Sequence, residues 1–394
     1  MEQHRNSRKI IISGGGTGGH IFPALSIADG IRKLDPEAEI LFVGAEGKME
    51  MERVPAAGYP IEGLPVAGLQ RKLSLANLAL PFKLWKSLRR ARQILRNFQP
   101  DVVVGVGGYA SAPTLWTASR MGIPCLIQEQ NSYAGLTNKL LAKRAKKICV
   151  AYDRMERFFP ADKIKLTGNP IRANIHPATP EQHTEALRYF GLDADKPVLL
   201  VVGGSLGART LNQALRDWVG TLDKDTPYQI LWQSGKYYRP ELEAFFAGLP
   251  GWDNHQILCP EAGKEYELRC FHTVRNSDFI KRMDLAFAAA DWVVSRAGAG
   301  TISELCAAGK ASLFVPSPVV AEDHQTHNAQ ALVRHEAAEM IADADAVASL
   351  RNRCEALLQD EERKNLLSKN ILSLAKPQAA EQIARDVLDL IPGK

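Results

Sequence analysis

Short apolar runs alternate with stretches whose apolar residues recur every three or four positions, and the alternation passes along the chain twice. The first series predicts strands over Lys9–Ser13, Ile40–Val43, Asp101–Val106, Pro124–Gln128 and Ile148–Ala151. The second predicts strands over Val198–Val202, Gln229–Gln233, Trp292–Ser295 and Ala311–Val315. Several runs are apolar at every position, as in strands covered on both faces. Helical patterns fill the intervals, so a parallel α/β arrangement is expected twice over. Pro170, Pro177 and Pro180 break the pattern just before a fresh strand–glycine–helix unit. A boundary is therefore expected near Ile171. It separates a Rossmann-like domain over 1–171 from a second over 172–375, the two facing a cleft. A last helical stretch covers Pro377–Leu390.

Four strand ends are rich in glycine: "SGGGTGGH", "GVGGYASAP", "VVGGSLGART" and "SRAGAGTISE". Ligands of open parallel sheets collect at the carboxyl ends of the strands. Glycine lets the backbone come close to them, and a helix N-terminus offers unpaired amides to phosphate or sugar oxygens. Gly14, Gly16 and Gly19 also satisfy the spacing of a dinucleotide-binding loop, with Glu46 near the place of the ribose-binding acid. A dehydrogenase needs only one such loop, and three would go unexplained.

With 394 residues, 45% of them hydrophobic and 24% charged, the chain suits a soluble protein of two domains. No run of eighteen apolar residues is present to span a bilayer, and "MEQHRNSRK" lacks the apolar core of a signal peptide. A cytoplasmic location is expected. The six cysteines form no C-x-x-C pair and read as reduced, buried thiols. The net charge of +5 says little by itself, but its distribution is uneven. No acid falls between Glu62 and Asp101, whereas Arg71, Lys72, Lys83, Lys86, Arg89, Arg90, Arg92 and Arg96 all do. Such a patch implies an anionic partner. In "LANLALPFKLWKSLRRARQILR", Leu80, Leu84, Leu88 and Leu95 mark a face expected in the core, and Phe82, Trp85, Arg89, Arg92 and Arg96 mark a second. Aromatics beside arginines suit the head-group boundary of an anionic membrane. A solvated basic helix is the plain alternative. No nucleic-acid-binding fold accompanies the patch, so no nucleic acid is expected.

The segments "GGGTGGHIFPALSIA", "GVGGYASAPTLWTA", "QEQNSYAGLTNKLLA", "TGNPIRANI", "VVGGSLGARTLN" and "SRAGAGTISELCAAGKASLFVP" resemble, in order and over both domains, those of the bacterial MurG family. These are UDP-N-acetylglucosamine:lipid I N-acetylglucosaminyltransferases. The resemblance implies the GT-B fold and inverting transfer of N-acetylglucosamine (GlcNAc). The donor would be UDP-GlcNAc. The acceptor would be the 4-hydroxyl of N-acetylmuramic acid on undecaprenyl-diphosphate-MurNAc-pentapeptide (lipid I), and the product lipid II for peptidoglycan synthesis. Such enzymes work at the cytoplasmic face of the inner membrane. The resemblance also implies that residues 376–394 pack back on the first domain.

Carried over residue by residue, the resemblance places Glu304 on the ribose hydroxyls; a capping carboxylate is the plain alternative. It places the backbone amides of Ala299, Gly300, Thr301, Ile302 and Ser303 on the donor, and Ser205 on the diphosphate. The Ile280 backbone would pair with uracil, with Arg172 near the nucleotide. Gln325 and Asn131 would read sugar hydroxyls. Thr17, Gly18 and Gly19 would border the transferred sugar, and Tyr109 would face the acceptor. The acceptor hydroxyl must lose a proton as it attacks. His20, at a helix start whose dipole disfavours the imidazolium, is one candidate base, and Glu129 the other. His20 could instead simply hold the glycine turn.

No metal site is expected. His324 and His327 lack a third ligand, and the Asp193-x-Asp195 and Asp343-x-Asp345 pairs lie away from the glycine loops. No tightly bound cofactor is expected, and a divalent cation would bind only loosely, leaving helix N-termini to stabilise the departing UDP. A UDP-GlcNAc 2-epimerase of the same fold, and a nucleotide-sugar- or lipid-binding module, are the competing readings. The irregular stretch Gly248–Asn276 has no role assigned.

Overall fold

The structure is a computed structural model that describes residues 7–66, 80–172, 174–204, 206–250, 256–261 and 264–392. The chain forms two compact units, residues 1–172 with 376–394 and residues 173–375. Arg172, expected at the head of the second domain, closes the first stretch of the first unit.

The first unit holds β1 (Lys9–Ser13), α1 (Gly18–Leu34), β2 (Glu39–Ala45), α2 (Glu50–Ala56), β3 (Ile61–Leu64) and α3 (Leu80–Phe98). There follow β4 (Val102–Gly105), α4 (Ser111–Arg120), β5 (Cys125–Glu129), α5 (Leu136–Leu141), β6 (Lys147–Val150) and β7 (Ile164–Leu166). The sheet runs β3-β2-β1-β4-β5-β6-β7, every pair parallel. Both faces are buried, which explains the unbroken apolar runs. Ile10, Ile12, Val104 and Leu126 pack into one layer with Ile27 and Ile31 of α1. Ile11, Val103 and Ile127 pack into the other with Ile94 of α3, Leu115 of α4 and Leu141 of α5.

The second unit contains α6 (Pro180–Phe190), β8 (Val198–Val202), α7 (Arg209–Val219), β9 (Gln229–Gln233), α8 (Arg239–Ala247), β10 (Gln256–Glu261), β11 (Lys264–Phe271) and β12 (Val274–Ser277). It continues with α9 (Met283–Ala289), β13 (Trp292–Ser295), α10 (Ala299–Ala308), β14 (Ser312–Phe314), α11 (His324–Val333), β15 (Glu339–Met340), α12 (Asp343–Gln359) and α13 (Glu361–Ser373). Its sheet order is β10-β11-β12-β9-β8-β13-β14-β15. β10 and β11 pair antiparallel, as do β11 and β12; the remaining pairs are parallel. The described part of the stretch with no assigned role thus holds β10 and β11, an antiparallel pair added at one sheet edge, and most of β12.

The last helix, α14 (Ala379–Leu388), returns to the first unit. Its Ile383, Ala384 and Val387 join the α1 layer. Buried Asp386 accepts hydrogen bonds from Lys147 Nζ and Lys165 Nζ, each at 2.8 Å. Among the described residues, no helix is long and apolar enough to cross a membrane.

One helix face differs from expectation. Leu84 of α3 is 54% exposed, while Ser87, Ala91, Ile94 and Leu95 are buried. The Leu80 side chain lies outside the described residues. The helix turns its Ser87 inward because the hydroxyl finds acceptors, Pro65 O at 3.0 Å and Lys83 O at 2.9 Å.

Candidate active site

In the first unit, β1 runs into the first glycine loop and then the opening turn of α1. Thr17 is the N-cap but its side chain caps no amide. Instead its Oγ1 lies 3.2 Å from His20 Nδ1. The other ring nitrogen turns toward the loop after β4: a Cβ on Gly107 would meet His20 Nε2 at 2.9 Å. Gly107 and its neighbour Gly108 have φ of +92° and +83°, and a Cβ on Gly108 would strike Gly15 O at 2.3 Å. Only glycine lets these two loops touch. Tyr109, next along, is half exposed.

Glu50, which the sequence reading missed, holds the first loop from below. Its carboxylate is 1% exposed and accepts the Gly16 amide through Oε2 and the Ala45 amide through Oε1, both at 3.0 Å. The only sequence signal was an acid in the short helical stretch after β2.

Glu129, at the end of β5, is equally buried. Its Oε1 accepts from Asn131 N at 3.0 Å and Asn131 Nδ2 at 3.3 Å. Its Oε2 accepts from Gly135 N at 3.0 Å and Asn138 Nδ2 at 2.8 Å. Four donors thus surround a carboxylate that shapes the Asn131–Gly135 loop and holds Asn131 in place.

In the second unit, α10 begins at Ala299 after the N-cap Gly298, which offers no side-chain cap, so its first amides face outward from the end of β13. Ile302 is buried, and its amide, expected to face the donor, already donates to Gly298 O at 2.9 Å. Ser303 Oγ turns back to Ala299 O at 2.9 Å, and Glu304 is partly exposed in the second turn. Gln325 Oε1 accepts the Ser317 amide at 2.8 Å. The Ile280 amide, expected to join a base pair, already donates to Gln233 Oε1 at 2.8 Å. Ser205 lies outside the described residues, but its loop closes tightly. A Cβ on Gly207 would meet Ser234 O at 2.3 Å. Arg172 is exposed at the end of the first unit. Arg296, also missed, donates to Val315 O at 2.9 Å and pairs with Asp343, bracing the turn before α10. Among the described residues, no three His, Cys, Asp or Glu side chains gather as metal ligands.

α3 exposes Phe82 and Trp85, whose rings stack at 6.1 Å between centroids. Lys86 Nζ lies 4.6 Å from the Phe82 ring, and the Arg89 guanidinium 5.6 Å from that of Trp85. On the neighbouring α4, partly exposed Trp116 carries Arg144 at 3.9 Å.

Two Rossmann-like units with glycine loops and uncapped helix starts at their strand ends define a glycosyltransferase of the GT-B architecture. Residues 10–150 match the glycosyltransferase family 28 N-terminal domain and residues 198–383 its C-terminal domain, and the chain belongs to that family. It is 53% identical, over 98% of its length and 99% of the relative's, to a Parabacteroides distasonis protein named UDP-N-acetylglucosamine--N-acetylmuramyl-(pentapeptide) pyrophosphoryl-undecaprenol N-acetylglucosamine transferase. The crystal structure of Acinetobacter baumannii MurG superposes with a TM-score of 0.75 at 28% identity, covering 97% of this chain and 99% of that one. A UDP-N-acetylglucosamine 2-epimerase shares the fold alone, at 14% identity and a TM-score of 0.60, covering 97% of this chain and 95% of that one.

Proposed function

We propose that the chain transfers GlcNAc from UDP-GlcNAc to the 4-hydroxyl of MurNAc in lipid I, with inversion, to give lipid II for peptidoglycan synthesis. Its 53% identity to a transferase of that name, over nearly the whole of both chains, carries the reading.

In this reading the second unit holds the donor. The α10 amides and helix dipole face the diphosphate, and Glu304 accepts from the ribose hydroxyls. Because its carbonyl is engaged with Ser317, Gln325 donates from its amide nitrogen to the sugar. The uracil meets the Ile280 turn, with Arg172 near the nucleotide and Ser205 on the diphosphate. In the first unit, Thr17, Gly18 and Gly19 border the transferred sugar, Asn131 reads its hydroxyls and Tyr109 faces the acceptor.

His20 is the base. In the tautomer that carries its proton on Nδ1, 3.2 Å from the Thr17 hydroxyl, Nε2 is the ring nitrogen that accepts a proton. As the acceptor oxygen bonds to the anomeric carbon, its proton passes to Nε2, and the bond to the UDP oxygen breaks on the opposite face. The four donors around Glu129 support a role for that carboxylate in loop geometry in this reading. No tightly bound cofactor is required; any divalent cation serves as a loosely held counter-ion of the diphosphate.

The lipid acceptor brings the enzyme to the cytoplasmic face of the inner membrane. Phe82 and Trp85 enter the head-group boundary there, and the surrounding Lys and Arg side chains meet anionic lipid. Transfer of labelled GlcNAc to a lipid I analogue tests the function directly. Incubation with UDP-GlcNAc alone should leave it intact; conversion to its 2-epimer would replace this reading with the epimerase.

A further inference from the structure

The hairpin β10–β11 adds two antiparallel strands at the edge of the second sheet. Its inner strand carries Arg269, a guanidinium only 4% exposed. Arg269 Nε donates to Asn276 Oδ1 at 3.0 Å, directly across the β11–β12 pair, and another arm pairs with Asp278. Arg269 also lies 3.7 Å from Glu243. Burying a cation is costly unless partners compensate it, so this one holds its neighbours to a narrow geometry.

Those neighbours lead to the carboxyl ends of β9 and β12. Asp278 O accepts the Gly235 amide at 3.0 Å, and Ser277 O accepts the Ser234 amide at 2.9 Å. Two residues past Asp278, Ile280 donates to Gln233 at 2.8 Å. Gly235 is pressed against the third glycine loop: a Cβ there would meet Gly207 N at 2.2 Å. Asp278 is thus the joint through which the hairpin touches both the Ile280 turn and the glycine loop. A second, half-exposed guanidinium, Arg239, lies 3.4 Å from it.

We propose that the hairpin is a working part of the donor site and that Arg269 is a positioning residue: it fixes the Asp278–Ile280 turn, and so sets how tightly the nucleoside diphosphate is held. This rests on the reading that the turn receives the nucleotide. Arg269 acts on binding common to ground and transition states, because it lies away from the atoms that react.

The test measures UDP affinity by calorimetry and transfer kinetics for Arg269→Met, Arg269→Lys and Asp278→Asn. Arg269→Met should raise the UDP Kd and the donor KM about tenfold with kcat within about twofold, the pattern of lost uniform binding. Arg269→Lys, which keeps charge but not the planar fork, should fall between. Asp278→Asn should follow Arg269→Met, and decides the matter alone if that variant does not fold. Unchanged UDP affinity in the folded variants, or a loss confined to kcat or thermal stability, overturns the proposal. Glu304→Ala is measured alongside. If it weakens UDP binding and the Arg269 and Asp278 variants do not, the nucleotide reading stands and the hairpin's role falls. If it too leaves UDP binding unchanged, the nucleotide reading itself fails.

Discussion

Glu50 Oε2 accepts the Gly16 amide at 3.0 Å, so a side chain beyond the second strand sets the shape of the loop that carries Thr17 and His20. Removing it leaves the buried Ala45 amide without an acceptor, at about 1–3 kcal/mol, whereas the amide of exposed Gly16 can turn to water. Glu50→Ala should therefore lower the unfolding free energy by about 1–3 kcal/mol in urea titrations. Glu50→Gln keeps only one acceptor oxygen and sets an NH2 group against the other amide. It should fold with lower stability, bind UDP normally, and transfer more slowly. Wild-type turnover in Glu50→Gln would detach this carboxylate from the site.

His20→Ala should bind UDP-GlcNAc normally and lose about 10²–10⁴ in turnover, the usual contribution of a general base. Glu129→Gln should lower stability, because an NH2 group would face donors now bound to oxygen. If His20→Ala keeps near-full turnover while Glu129→Gln loses it without loss of stability, the two roles must be exchanged.

Flotation with vesicles containing anionic lipid should recover the wild-type protein, less as salt rises and screens the Lys and Arg charges. The double variant Phe82→Ala, Trp85→Ala should float poorly, yet keep its fold, since both rings are exposed. Equal flotation on neutral vesicles, or by the double variant, argues against this surface.

Burial pushes the Cys125, Cys149 and Cys306 thiols up to about 12, and Cys354 well above its ordinary value. At pH 8 a thiol of pKa 12 is about 10⁻⁴ ionised, so these should react with disulfide reagents only on unfolding. The sign for stability follows. In the unfolded chain these thiols ionise near 9.0; in the folded one they stay neutral until about 12. Their contribution is complete below 9.0 and is lost as pH rises toward 12. The urea midpoint should therefore fall between pH 8 and pH 10.5. Rapid labelling of these four thiols in the folded protein at pH 8 would contradict the burial.

The central strands were legible because a strand covered on both faces must be apolar throughout; β1, β8, β9 and β13 lie at the expected residues. β3 (IEGL), β7 (IKL) and β15 (EM) were not, because short strands at or near sheet edges need no apolar run. The α3 core face was misread at Leu84, where periodicity could not foresee that Ser87 would be buried by bonding to carbonyls. Gly–Gly loops and His20 stood out locally, since backbone freedom and imidazole chemistry belong to single residues.

Partnership does not. Glu50 meets Gly16 from 34 positions away, four donors converge on Glu129, and Arg269 reaches Asp278 across a strand pair. The sequence by itself determined the alternating elements, the glycine strand ends and the family resemblance, because each is written in adjacent residues. Only the tertiary structure decided which donors each buried carboxylate meets, which helix face meets solvent, and what the added hairpin touches. Those depend on which chain segments are brought together, and burial then makes each buried charge require a partner that no local pattern names.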